Sequence, residues 1–191
     1  MNISKLLEQS DRRVGKTLFV AVDGHGGSGK SAFAKWLGHN LHAEIIKTDD
    51  FASWDDPSDW WPKVIEKVFK PISEGEKYLN YDRSKWWENH HPESVIKKPV
   101  TDLMILEGVG SSRKEFREYI RLHIFVDTPE DVCIKRGVEK DLITGKTREE
   151  LLEIWKKWID HENEYIQRDH PKEYADIVFN GTKPFVDQIQ F

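Results

Sequence analysis

Short apolar segments rich in β-branched residues recur along the chain, and segments with helical spacing of apolar residues separate them. The predicted strands are, in chain order, residues 17–22, 44–48, 102–106, 121–126 and 176–179, with further short strands at 78–82 and 95–96. The predicted helices are residues 31–41, 57–73 and 148–166, with shorter ones at 2–13 and 111–119. This alternation predicts an α/β domain.

A glycine-rich stretch, residues 24–31, lies between the first strand and the first long helix and fits G-x-x-x-x-G-K-[ST]. Glycines let backbone N–H groups turn towards a phosphate, and the helix N-terminus favours an anion. Lys30 is expected to reach the β- and γ-phosphates, and the Ser31 hydroxyl to ligate Mg²⁺. An ordinary glycine-rich turn is the alternative, which the flanking strand and helix disfavour. The candidate nucleotide contacts of this loop are Gly24, Gly26, Gly27, Ser28, Gly29, Lys30, Ser31 and Ala32.

Carboxylates follow two of the predicted strands: Asp49 and Asp50 follow the second, and Glu107 follows the third. In open α/β sheets the ligand crevice lies at this end of the strands. Phosphoryl transfer needs a group that orients and deprotonates the attacking hydroxyl, and Asp49 is the candidate base. Asp50 is expected to assist the metal or to cap the next turn. Glu107 is expected to be the metal-linked carboxylate. The alternative for all three is a role as turn or capping residues.

Aromatic residues crowd the region that follows, between residues 51 and 100. Aromatic rings on loops can stack a planar substrate such as a nucleobase, although lid-like packing is the alternative. Phe51, Tyr81 and Asp82 are the candidate acceptor contacts here. His90 and His91 are interpreted as surface-loop residues rather than metal ligands. The aromatic cluster comprises Trp54, Trp60, Trp61, Tyr78, Tyr81, Trp86 and Trp87.

A basic segment at residues 136–148 is the candidate lid. Cations on a mobile segment over the phosphates would neutralise transition-state charge, and its closure would exclude water. A solvated charged loop is the alternative. Asp141 is expected to position one of the cations. The cations are Arg136, Lys140, Lys146 and Arg148, with Gly137 and Gly145 as candidate hinges.

Composition narrows the class of protein. The chain has 191 residues, a length that suits one domain spanning 1–191. Its formal net charge of −5 argues against a nucleic-acid binder with a broad basic surface. No apolar run approaches the ~20 residues that span a bilayer. Cys133 is the single cysteine, so no disulfide framework is expected and a cytoplasmic location fits.

Taken in order, these motifs resemble the uridine kinase family of P-loop kinases, which includes nicotinamide riboside kinase and phosphoribulokinase. The resemblance implies a P-loop NTPase fold with a five-stranded parallel sheet in the order 2-3-1-4-5, flanked by helices. It also implies ATP with Mg²⁺, a base at Asp49, a metal- or substrate-linked carboxylate at Glu107, and acceptor contact near Tyr81 and Asp82. The matching segments are GGSGKS at 26–31, TDDF at 48–51, YD at 81–82, ILEGV at 105–109, the basic segment at 136–148, and YADIVFNG at 174–181.

The function expected is an ATP-dependent kinase that phosphorylates a hydroxyl of a small metabolite, specifically a uridine- or cytidine-like nucleoside. A nucleoside monophosphate kinase is a second hypothesis, which would need extra cations in the acceptor site to hold a phosphate. A nucleotide-dependent regulatory ATPase is a third, and its GTPase version is weakened because no Asn precedes a Lys. A small-molecule partner is expected, without nucleic acid or membrane, and a homo-oligomer is compatible with the sequence.

Overall fold

The computed structural model describes residues 3–8, 13–52, 59–84 and 95–189. Its strands are β1 Leu18–Asp23, β2 Glu44–Lys47, β3 Tyr78–Asp82, β4 Val95–Pro99, β5 Leu103–Glu107, β6 Leu122–Asp127 and β7 Ile177–Asn180. Its α-helices are α1 Ile3–Glu8, α2 Lys30–Leu41, α3 Trp61–Val64, α4 Lys70–Ser73, α5 Glu130–Asp141, α6 Arg148–Asp169 and α7 Pro171–Tyr174. Short 3₁₀ turns occur at Thr48–Asp50, Lys114–Phe116, Leu142–Thr144 and Phe185–Asp187.

The main sheet has five parallel strands in the order β2-β5-β1-β6-β7. Without the β3–β4 hairpin, this is the order 2-3-1-4-5, so the predicted fold and strand order are confirmed. Glu107 pairs in register with Val22 on one side and Lys47 on the other. The register therefore brings three chain segments together at the carboxyl edge of the sheet: the loop after β1, the turn after β2 and the end of β5.

Each face of the sheet packs its own apolar core, because successive side chains of a strand point to opposite faces. On β1, Phe19 and Ala21 belong to one cluster, while Val20 and Val22 belong to the other. The first cluster includes the helical segment 61–73 and the β3–β4 hairpin. The second includes α2, β6 and β7. Burial on both faces explains why the central strands are almost continuously apolar.

The predicted helix at 57–73 is observed from Trp61, and its first residues lie outside the described part of the chain. It runs through a π-helical turn, Ile65–Phe69, between α3 and α4. This turn comes just before Pro71, whose ring would clash with the Lys67 carbonyl in a regular α-helix. The strands predicted at 78–82 and 95–96 are confirmed, and they pair antiparallel.

The helix predicted at 111–119 is wrong, since this segment contains only the 3₁₀ turn Lys114–Phe116. Two of its backbone donors bind carboxylates instead of joining a helical ladder. The Ser112 N–H donates to Asp23 Oδ2 at 2.7 Å, and the Lys114 N–H donates to Asp169 Oδ2 at 3.0 Å. Side-chain acceptors that capture backbone donors compete with helix formation in this way. Among the described residues, no helix combines the length and the apolarity that crossing a membrane would need.

Candidate functional site

Residues 24–29 connect β1 to α2 and form a backbone cradle. The φ angles of Gly24, Gly27 and Gly29 are 139°, 76° and 102°, a region that residues with side chains rarely adopt. Gly27 also lacks room for a side chain, because a Cβ there would lie 2.3 Å from the carbonyl oxygen of Cys133. Gly29 caps α2 without a side-chain hydrogen bond. The first turn of α2 therefore presents backbone N–H groups and a positive dipole end, as anion binding requires.

Two side chains support the cradle from behind. Thr128 Oγ1 donates to the Ser28 carbonyl oxygen at 2.9 Å. Arg136, on α5, donates from Nη1 to the same oxygen at 3.3 Å and to the Gly181 carbonyl oxygen at 3.1 Å. Arg136 was predicted to contact phosphate. In this structure its guanidinium binds carbonyl oxygens of the loop and of the turn after β7, where it stabilises the loop.

Four of the predicted site residues lie near one another beside the cradle. Ser31 Oγ donates to Glu107 Oε1 at 2.8 Å, and Lys30 Nζ donates to the His25 carbonyl oxygen at 3.1 Å. Glu107 is 4% exposed. Burial raises its pKa and the nearby Asp49 charge adds to that effect, while Lys30 and the Ser31 hydroxyl oppose it. Asp49 itself is exposed to solvent. Lys30, Ser31, Asp49 and Glu107 thus form one cluster.

This cluster fits a magnesium ion. The Ser31 hydroxyl and the Asp49 and Glu107 carboxylates are hard oxygen donors, which Mg²⁺ prefers. Within the described residues, no group of three or more His, Cys, Asp or Glu side chains is placed to hold a metal alone. Magnesium commonly binds one or two carboxylates, several waters and substrate phosphates, so this sparse donor set is the type expected beside a phosphate loop.

The adjacent residues Asp49 and Asp50 face different environments. Asp50 is 2% exposed, forms an ion pair with Arg83 Nε at 3.1 Å, and accepts a hydrogen bond from the Tyr81 hydroxyl at 3.2 Å. Burial raises the pKa of Asp50, and the Arg83 charge opposes that shift. The Tyr81 ring packs on Phe51 with centroids 4.8 Å apart. Asp50 is therefore held in a buried network, which leaves the exposed Asp49 as the candidate base.

The predicted acceptor contacts are only partly accessible. Phe51 and Tyr81 are 3% and 4% exposed and belong to the apolar core, which is at odds with direct acceptor contact. Asp82, at the end of β3, is exposed. Trp60 and Trp61 each lie 5.5 Å from the guanidinium of Arg113, measured to the ring centroids. The predictions for Trp54, Trp86, Trp87, His90 and His91 fall outside the described residues.

The segment predicted as a lid loop is mostly helical. Residues 136–141 belong to α5, and α6 begins at Arg148 behind a capping box formed by Thr147 and Glu150. Gly137 is a packing residue rather than a hinge, because a Cβ there would lie 2.2 Å from the Trp155 ring. Asp141, predicted to position a cation, instead accepts a hydrogen bond from Trp155 Nε1 at 3.0 Å. Lys140, Lys146 and Arg148 are exposed, and Gly145 has a φ of 81°.

Helix α6 also brings two side chains to the cradle that the sequence analysis missed. Glu162 Oε2 accepts the Gly26 N–H at 2.9 Å and lies 3.0 Å from His25 Nδ1. The Tyr165 hydroxyl donates to Asp23 Oδ2 at 2.7 Å. A carboxylate on α6 therefore accepts a hydrogen bond from one of the backbone N–H groups of the loop.

A signal for Asp23 was present in the sequence, since it ends an apolar strand just as Glu107 does. Glu162 and Tyr165 are three residues apart and share one face of α6. Their partners lie more than 130 positions earlier in the chain. No local pattern could have paired them.

Comparison with known proteins gives concordant results. The model of the phosphoribulokinase / uridine kinase family matches residues 52–184. A uridine kinase of Tolumonas auensis is 24% identical over 185 residues, covering 84% of this chain and 85% of its own. A uridine kinase of Pasteurella multocida is 25% identical, covering 84% of each. A solved structure described as a possible uridine kinase from Bacillus stearothermophilus superposes with a TM-score of 0.60 at 17% identity, covering 94% of this chain and 100% of its own.

Proposed function

The chain belongs to the phosphoribulokinase / uridine kinase family of phosphotransferases with an alcohol acceptor, and we propose that it transfers the γ-phosphoryl group of ATP to a nucleoside hydroxyl. The observation that carries this proposal is the 2.8 Å contact between Ser31 and Glu107. It brings the candidate magnesium ligand of the phosphate loop to the acidic end of β5. The charges of Lys30 and Asp49 shift the pKa of the Glu107 carboxylate in opposite directions.

Each residue of the cluster then has a defined task. Lys30 and the loop amides would bind the phosphates of the nucleotide, and Ser31 with Glu107 would hold Mg²⁺. When bound, Mg²⁺ supplies positive charge that offsets charge on the phosphate oxygens. Asp49 accepts the proton of the attacking hydroxyl. Because Asp49 is exposed while Asp50 is buried against Arg83, an acceptor entering from solvent meets Asp49.

The names of the curated relatives favour a nucleoside as acceptor. A nucleoside monophosphate would need unpaired cations to hold its phosphate. Two arginines near the predicted acceptor contacts and the aromatic cluster already face carboxylates. Arg83 pairs with Asp50, and Arg113 Nε lies 2.9 Å from Glu115 Oε2. These pairs favour an uncharged acceptor.

The test of the proposal is acceptor-dependent ADP release. The protein is incubated with Mg²⁺ and ATP and with a panel of ribonucleosides, their monophosphates and simple sugars. We expect turnover with one or more nucleosides and a background at least tenfold lower with monophosphates. Slow hydrolysis that is indifferent to every acceptor would instead indicate a regulatory ATPase.

Asp49→Asn tests the proposed base. Removing a general base lowers turnover by ~10²–10⁴-fold, so we expect kcat to fall within that range. The affinity for ADP in EDTA, measured by calorimetry, is expected to stay within about threefold, because the loop amides and Lys30 that are proposed to bind the phosphates are unchanged. Asp160→Asn, at an exposed position on α6, is the matched control. Near-native kcat in Asp49→Asn would remove this residue from the role of base.

A further inference from the structure

Asp23, the last residue of β1, is fully buried and accepts hydrogen bonds from three parts of the chain. Its Oδ1 accepts the N–H groups of Gly24 at 2.7 Å and Gly110 at 3.2 Å. Its Oδ2 accepts the Ser112 N–H and the Tyr165 hydroxyl, both at 2.7 Å. Both oxygens of this carboxylate are therefore engaged, each by two donors.

Each of these donors belongs to a segment that bears on the reaction. Gly24 opens the phosphate loop. Gly110 and Ser112 lie in the loop that leaves Glu107 at the end of β5. Tyr165 lies on α6, which follows the basic segment 136–148. One carboxylate thus joins the phosphate loop, the Glu107 loop and the helix behind the candidate lid.

The pKa of Asp23 depends strongly on the groups that donate hydrogen bonds to it. Burial raises the pKa of Asp23, and the hydrogen bonds from Tyr165, Ser112 and Gly24 oppose that shift, with the charge of Lys30 adding to their effect. Burial and the Asp23 charge raise the pKa of Tyr165 well above its ordinary value, so its hydroxyl remains a donor. A buried carboxylate that loses a donor must find another or move.

We propose that Asp23 and Tyr165 form a positioning pair through which α6 sets the spacing between the phosphate loop and Glu107, and hence between Ser31 and Glu107. The proposal rests on the proposed kinase function of that site. Neither side chain touches the reacting atoms. Their effect is carried by the amides of Gly24, Gly110 and Ser112, and misplacement by about 1 Å can cost about 10²-fold in rate.

Tyr165→Phe is the decisive variant because it removes one hydroxyl and keeps the ring. Tyr174→Phe is the matched control, since its ring contacts with His123 and Arg117 lie away from the cradle. The affinity for ADP is measured by calorimetry with and without Mg²⁺, alongside kcat, the acceptor KM and Tm.

For Tyr165→Phe we expect the gain in ADP affinity that Mg²⁺ provides to shrink several-fold, with ADP binding in EDTA within about twofold of wild type. We expect kcat to fall by about 10-fold or more and the acceptor KM to stay within about twofold. A merely structural role would lower Tm and leave the Mg²⁺-dependent gain and kcat within twofold of wild type. That result would overturn the proposal.

A double-mutant comparison adds an independent check. Asp23→Asn is expected to reduce the same Mg²⁺-dependent gain, and adding Tyr165→Phe to it is expected to cause little further loss, because the pair acts as a unit. Additive losses would contradict the pairing. A wild-type protein that binds no ADP with Mg²⁺ would overturn the proposed function and this inference together, whereas normal wild-type binding with an unaffected Tyr165→Phe overturns this inference alone.

Discussion

The phosphate side and the acceptor side of the candidate site differ in what their residues do. On the phosphate side, residues 24–31 and Glu107 present backbone N–H groups, a lysine, a hydroxyl and a carboxylate to one space. On the acceptor side, Phe51, Tyr81 and Asp50 turn into the core. The geometry of the proposed phosphate side depends on backbone conformations encoded by adjacent residues, whereas that of the proposed acceptor side depends on which way each side chain faces.

Two buried carboxylates sharpen this comparison. Burial raises the pKa of both Glu107 and Asp50. Asp50 has a guanidinium partner, Arg83, in direct ion-pair contact. Glu107 has the neutral Ser31 hydroxyl as its direct partner and the Lys30 charge nearby. Of these two buried carboxylates, Glu107 is therefore the one better suited to bind a metal ion that enters with a nucleotide.

Glu107→Gln is expected to give the largest effect on the phosphate side. Gln keeps the shape but loses the charge, so we expect kcat to fall by about 10²-fold or more, as for other electrostatic groups in active sites. We also expect a higher Tm for the metal-free protein, by about 2–4 °C for each kcal/mol added to its free energy of unfolding. Activity assays and calorimetry in EDTA measure the two effects, with the exposed Glu139→Gln as control.

The direction of the Glu107 pKa shift determines how its contribution to stability depends on pH. A carboxyl group whose pKa is raised in the folded protein contributes stability below its unfolded value, near ~4.3, and loses it as pH rises through the folded pKa. The Tm advantage of Glu107→Gln is therefore greatest at neutral pH and closes as the solution is acidified. A variant that is less stable than wild type at neutral pH would show that the buried charge is already compensated without a metal.

Glu162→Gln is expected to have an intermediate effect, on nucleotide binding. The Glu162 carboxylate occupies the Gly26 N–H, and phosphate oxygens brought to the cradle would lie near its negative charge. Like charges about 4 Å apart in water interact by ~1 kcal/mol, so we expect ADP with Mg²⁺ to bind about 3–10-fold more tightly to Glu162→Gln. Calorimetry measures this, with Glu164→Gln, exposed on the same helix, as control. Weaker binding by Glu162→Gln would mean that the loop needs this carboxylate to keep its conformation.

The same contrast explains how much the sequence could predict. The strand order, the cradle and the meeting of Lys30, Ser31 and Glu107 were predictable because strand ends and glycine patterns are local signals. The Asp23–Tyr165 and Gly26–Glu162 contacts were not, since their partners lie far apart in the sequence. The hinge assigned to Gly137 was wrong for a related reason. A glycine that makes room for a distant ring, here Trp155, has the same sequence signature as a glycine that lets the chain bend.

Tyr81→Phe is expected to have the smallest effect and tests the acceptor side directly. Its hydroxyl donates to the buried Asp50, so we expect a loss of about 0.5–1.5 kcal/mol in the free energy of unfolding. The acceptor KM and kcat are expected to stay within about twofold, because the ring packs on Phe51 in the core. Tyr78→Phe, exposed on the same strand, is the control for both measurements. If Tyr81→Phe instead raised the acceptor KM by tenfold without loss of stability, the tyrosine would contact the acceptor, and the two sides of the site would differ less than their burial indicates.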